Sequence, residues 1–123
     1  MTGTGCRALV VDDTAIMRAI VSRILREANF DVVEASNGAE AIQSFFREKP
    51  DIVLMDLNME GIDGTAAIRG ILQIDKDARI VVISATSDAH IVVNLLRLGA
   101  KRYVTKPFTP EKLLDAVNAA LAA

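Results

Sequence analysis

At 123 residues and 51% hydrophobic side chains the chain is sized for one domain around one core, spanning 1–123 with a flexible N-terminus over residues 1–6. The 14 basic and 16 acidic residues leave a net charge of −2, which gives no support for non-specific nucleic-acid binding, since that needs a basic surface, and no direct nucleic-acid partner is expected. A single cysteine, Cys6, and a single histidine, His90, exclude an intrachain disulfide and a thiolate or imidazole metal cluster, and without an apolar leader or a membrane-length apolar run a cytoplasmic location away from the bilayer is expected.

The pattern alternates strand and helix five times. Arg7–Asp12 is predicted as the first strand. A helix over Thr14–Asn29 follows, with Ile16, Met17, Ile20, Val21, Ile24, Leu25 and Ala28 on one face and Arg18, Ser22, Arg23 and Glu27 opposite. Asp31–Ala35 is the second strand. Asn37, three residues before Glu40, resembles a capping box and opens a helix running to Lys49, where Pro50 stops it; Ala39, Ile42, Phe45 and Phe46 are its expected inner face. The third strand is Asp51–Asp56. A loop punctuated by Gly61 and Gly64 leads into a helix over Thr65–Ile74 that buries Ile68, Ile71 and Leu72.

Arg79–Ser84 is the fourth strand, and the helix over Asp88–Leu98 ends on Gly99 as its cap. Arg102–Thr105 is the fifth strand. Thr109-Pro110-Glu111 supplies a capping hydroxyl, a first-turn proline and a first-turn acid for the last helix, whose inner face is Leu113, Leu114, Val117 and Leu121. Five βα units imply an α/β fold with a parallel sheet and right-handed crossovers. The expected order is the doubly wound, flavodoxin-like 2-1-3-4-5, taken over from that fold class rather than derived from these residues. It sets strands one and three side by side.

Each buried strand delivers a polar residue at its carboxyl end: Asp12 and Asp13 after strand one, Asp56 after strand three, Ser84 after strand four and Lys106 after strand five. That edge is where open α/β sheets bind ligands. Clustered carboxylates repel, so they call for a cation; a lysine beside them calls for an anion as well. The combination points to Mg²⁺ and a phosphoryl group.

These residues resemble a known family. Asp12-Asp13, the central Asp56, Asp56-Leu57-Asn58-Met59 followed by Asp63-Gly64, Ser84-Ala85, Tyr103 and Lys106-Pro107-Phe108 look like a bacterial response-regulator receiver domain, most like the stand-alone chemotaxis kind, over Ala8 to Leu121. One departure is Glu60, where receivers usually carry proline; it loosens the loop and adds a carboxylate near the cation.

The resemblance implies a phosphorylation-activated switch that is no enzyme beyond its own phosphorylation and dephosphorylation. Asp56 would accept the phosphoryl group from a sensor histidine kinase. Asp13, Asp56 and the backbone carbonyl of Asn58 would bind Mg²⁺ directly, and Asp12 through water. Asp13 also stands where a helix cap would. Lys106, before a cis bond to Pro107, would pair with a carboxylate at rest and with the phosphoryl oxygens afterwards. Ser84 would donate to the phosphoryl group, drawing in its loop, and Tyr103 would rotate inward. Asn58 and Thr86 would control how water reaches the acyl phosphate. His90 and Cys6 carry no role.

The helix over Asp88–Leu98 is apolar nearly all round, so it is either covered by the sheet and the preceding helix or, with strand five and helix five, forms the docking face for a downstream target of a monomer or weak dimer. Two other readings have the same ingredients: a receiver cut from a longer regulator, and a haloacid-dehalogenase-type phosphatase, whose nucleophile ends strand one as Asp-x-Asp and whose cap domain does not fit in 123 residues. A flavin mononucleotide carrier would need a hydroxyl-rich loop where Asp13-Thr14-Ala15-Ile16 stands.

Overall fold

The computed structural model describes residues 5–57, 64–85 and 88–122. Among them five strands alternate with five helices: β1 (Arg7–Val11), α1 (Ala15–Glu27), β2 (Asp31–Ala35), α2 (Gly38–Glu48), β3 (Ile52–Asp56), α3 (Gly64–Ile74), β4 (Ile80–Ser84), α4 (Ala89–Leu98), β5 (Arg102–Thr105) and α5 (Pro110–Ala122). The strands form one sheet in the order β2-β1-β3-β4-β5, every pair parallel, as expected.

Side-chain alternation splits the core into two layers. Leu9, Val11, Val53, Met55, Ile80 and Val82 point to the layer that α2, α3 and α4 cover with Ala41, Phe45, Ile68, Ile71 and Leu95. Ala8, Val10, Ile52, Leu54, Val81, Ile83 and Val104 point the other way, to Val21 and Leu25 of α1 and Leu113, Val117 and Ala120 of α5. β3 and β4 are buried at every position, which is why they read as unbroken apolar runs.

The predicted caps form. Asn37 Oδ1 accepts from the Glu40 N–H at 2.8 Å, but the returning Glu40 carboxylate takes its N–H from Ser36, not Asn37. Lys49 ends α2 in the left-handed region before Pro50, and Gly99 ends α4 at φ +136°. Thr109 Oγ1 accepts from the Lys112 N–H at 3.1 Å.

The inner faces of two helices differ from expectation. On α1, Ile16 is 77% exposed and Ile20 is also exposed, whereas Ser22 is buried. On α2, Ala39 is exposed and Phe46 is 70% exposed, whereas Ala41 and Ser44 lie inside. The sheet covers a stripe narrower than the apolar arc each sequence offers, and small Ser22, Ala41 and Ser44 allow the close approach. Among the described residues no helix is long and apolar enough to cross a membrane.

Candidate functional site

The adjacency of β1 and β3 brings the predicted acids together. Carboxylate oxygens of Asp12, Asp13 and Asp56 lie within 4.8 Å of one another, with Asp12 and Asp56 buried and Asp13 exposed. The buried pair sits at the carboxyl ends of strands and the exposed member opens the cluster to solvent.

Several contacts hold Asp12. Its N–H donates to the Ala35 carbonyl at 3.1 Å, extending the β1–β2 ladder beyond the strand. Its Oδ1 accepts from the Thr14 N–H at 2.9 Å and the Thr14 hydroxyl at 3.0 Å. Thr14 is also the N-cap of α1, accepting from the Met17 N–H, so the cap is Thr14 and not Asp13. Asp13 is thereby left for the acidic cluster. Burial raises the Asp12 carboxyl above its ordinary range, and the neighbouring Asp56 charge adds to the rise, while the Thr14 N–H opposes it.

Lys106 reaches in from the end of β5. Its Nζ stands 3.3 Å from Asp56 Oδ1, and its bond to Pro107 is cis, both as expected. Its N–H donates to the Ser84 carbonyl at 2.8 Å, so the ends of β4 and β5 are fastened together beside the acids. Ser84 is buried. Tyr103, opposite Val82 in the register, is half-buried against the layer that contains Val82 and Leu95. Asn58, Glu60 and Thr86 lie outside the described residues.

Two features were not anticipated. Arg18, expected on the outer face of α1, donates from Nη1 to the Asp12 carbonyl at 2.8 Å and pairs through Nε with Glu34 at 3.3 Å, tying α1 and β2 to the acidic loop. The exposed Ile20, with Met17, Ala85, Lys106, Pro107 and Phe108, lines an apolar groove of about 430 Å³ that shares Lys106 with the acids. Neither shows in a single-chain periodicity: a guanidinium on a polar face looks solvated until its carbonyl partner is known.

All the donors are oxygens, which suits a hard divalent cation such as Mg²⁺. Lys106 brings one positive charge against three carboxylates. A doubly wound parallel sheet with acids at its switch point and a lysine opposite is the arrangement of a receiver.

Residues 8–118 match the family described as the response regulator receiver domain, and the chain belongs to it. It is similar to the chemotaxis protein CheY of Bacillus subtilis, with 41% identity over 94% of this chain and 97% of the relative. The similarity to the Thermotoga maritima chemotaxis protein CheY is also 41%, over 93% and 96%. Among solved structures, the CheX–CheY–BeF3–Mg²⁺ complex of Borrelia burgdorferi superposes with a TM-score of 0.89 at 31% identity, covering 94% of this chain and 89% of that one. The protein is therefore a phosphorylation-activated switch of a two-component system, and the phosphatase alternative is not favoured.

Proposed function

We propose that Asp56 is the phosphoacceptor, that Asp12, Asp13 and the Asn58 carbonyl complete with it a Mg²⁺ site, and that the donor is a phosphohistidine of a sensor histidine kinase in the cytoplasm. The observation that carries this reading is the cluster itself: three carboxylates within 4.8 Å, one of them held 3.3 Å from Lys106. An Asp56 carboxylate oxygen attacks phosphorus, the P–N bond breaks, and its electron pair returns to the imidazole nitrogen. Bound Mg²⁺ would neutralise the oxygens on which charge builds. Lys106 keeps the carboxylate oriented before transfer and faces the new phosphoryl oxygens afterwards. The apolar groove beside Lys106 suits the surface of the donor protein, since anything delivering a phosphoryl group to Asp56 must cover that rim.

Ser84 and Tyr103 carry the change outward. Ser84 is buried at the end of β4, and Tyr103 is packed toward α4, whose Ile91, Val93 and Leu96 are each more than 40% exposed. These side chains favour the reading of α4, β5 and α5 as a target-binding face in a chemotaxis-type regulator over the reading of α4 as a covered helix. Incubation with acetyl phosphate and Mg²⁺ should add one phosphoryl group. Undiminished labelling of Asp56→Asn, or full labelling in a chelator, sinks the assignment. Lys106→Ala and Ser84→Ala should still be labelled but bind a target poorly.

A further inference from the structure

α3 packs tightly on α2 and not on α4. At Gly70 a Cβ would stand 2.6 Å from Ile42 Cδ1, so the α2–α3 seam is closed there by design of that glycine. On the other flank Leu72 of α3 lies close to Gly99, the residue that follows α4. Between the two helices runs a groove of about 560 Å³. Its apolar floor is the stripe Ile91, Leu95 and Leu98, spaced i, i+4, i+7 on α4; its polar walls are Thr65 and Arg69 of α3 and Asn94 and Arg97 of α4.

The charge of this groove runs against that of the molecule. The chain as a whole carries −2, yet both charged residues lining the groove are arginines. Arg69 and Arg97 are exposed, and among the described residues neither pairs with a carboxylate. Arg7, Arg18, Arg23, Arg26 and Arg47 each meet an acid, whereas Arg69 and Arg97, like Arg79 and Arg102, meet none among the described residues. Two guanidiniums beside an apolar stripe present the complement of a segment with an apolar face and acidic edges. The walls are helices of 11 and 10 residues, roughly 15 Å long, which matches two to three turns of a docked helix.

We infer that the α3–α4 groove binds an acidic amphipathic helix of a partner protein, its apolar side chains on Ile91, Leu95 and Leu98 and its carboxylates on Arg69 and Arg97. This surface shares α4 and Ile91 with the proposed target-binding face but leaves out β5 and α5, and its binding does not depend on the role given to Asp56. It gives the protein a second recognition site, selected by charge.

The probe is a synthetic 14-residue helical peptide with leucines at i, i+3, i+4 and i+7 and glutamates flanking them, titrated into the isotopically labelled full chain and followed by amide chemical shifts. Shifts should centre on Thr65, Arg69, Ile91, Asn94, Leu95 and Leu98, in Asp56→Asn as in the wild type. The same peptide with lysines for glutamates should bind much more weakly, and affinity for the glutamate peptide should fall as salt rises from about 0.05 to 0.5 M. Arg69→Ala and Arg97→Ala should each weaken it roughly fivefold, and the double variant R69E/R97E should prefer the lysine peptide. Both arginines are exposed, and among the described residues neither pairs with an acid, so these variants leave the core intact. Equal binding of the two peptides, no binding at millimolar peptide, or shifts centred on Tyr103 and Lys112 would overturn the proposal. Groove shifts that grow with the protein's own concentration, without peptide, would assign the groove to a second copy and overturn it as well.

Discussion

Asp12 gives up most of its water to the ends of β1 and β2, and its carboxyl is raised by that burial and by the Asp56 charge. The unfolded chain releases this proton near the ordinary value of 3.8, whereas the folded chain holds it to higher pH. The metal-free protein therefore loses stability as pH climbs from the unfolded value through the raised folded one, and the deficit persists above it. Asp12→Asn should relieve it, raising stability in a chelator at pH 7.5, with the gain shrinking as the pH is lowered. Urea midpoints for the two proteins check this; a lower midpoint for the variant contradicts it. Ser22 poses the opposite case. Its hydroxyl is buried in α1 with no hydrogen-bond partner among the described residues, so Ser22→Ala should raise the midpoint, by up to about 1 kcal/mol. Ser22 was expected on the polar face because hydroxyls usually are; only the approach of α1 to the sheet reveals it inside.

Among the elements, α3 begins under tight constraint. A Cβ on Gly64 would lie 2.9 Å from the Asp56 carbonyl oxygen and from the Leu57 Cα, both backbone atoms that cannot swing aside. Gly64→Ala should push α3 away from the end of β3, costing about 1–3 kcal/mol and slowing acyl-phosphate formation; thermal melts and labelling rates together test it, and a variant labelled at the wild-type rate would separate α3 from the acceptor. A second expectation concerns α4 and β5. Beryllofluoride with Mg²⁺ should change amide hydrogen exchange there and leave α2 largely silent, whereas changes limited to the segment after Asp56 would remove Ser84 and Tyr103 from the switch. Which elements exist was readable from apolar runs and caps. The width of the inward stripe on α1 and α2 was not: Val21, Leu25 and Phe45 lie inside as expected, but Ile16, Ile20 and Phe46 extend the apolar arc past what the sheet covers. Ile16 and Ile20 are left outside and Ile20 borders the Lys106 groove, so the excess of apolar residues over core was itself the legible trace of a surface.

For the whole molecule, the order of polar residues at successive strand ends was enough to locate the site, since a parallel sheet puts every such end on one edge. The contacts that stiffen the site were not legible: Arg18 reaches the Asp12 carbonyl and Glu34 across two elements, and no local period encodes such a pairing. The opposite edge is fastened by Arg7, which meets Asp31 at 2.9 Å and Glu48 at 3.2 Å while its N–H donates to Asp51 at 2.7 Å. Binding of Mg²⁺ to the folded chain alone should raise global stability, by about 2.7 kcal/mol at a hundredfold excess over its dissociation constant. Urea unfolding with and without Mg²⁺ measures the increment. It should vanish in Asp13→Ala, and an increment kept by that variant would remove Asp13 from the ligands.

Among the described residues α4 buries a single side chain, Leu95, whereas α1, α2, α3 and α5 each bury three. Substitutions at Ile91, Val93 or Leu96 are therefore nearly decoupled from folding, because those side chains contribute little to the core they border. A lineage can rewrite the outward side of this helix while the acidic cluster stays where the sheet holds it. The loosest helix is then the most evolvable part of the molecule, and duplicated copies can drift to separate targets without first losing the ability to be switched on.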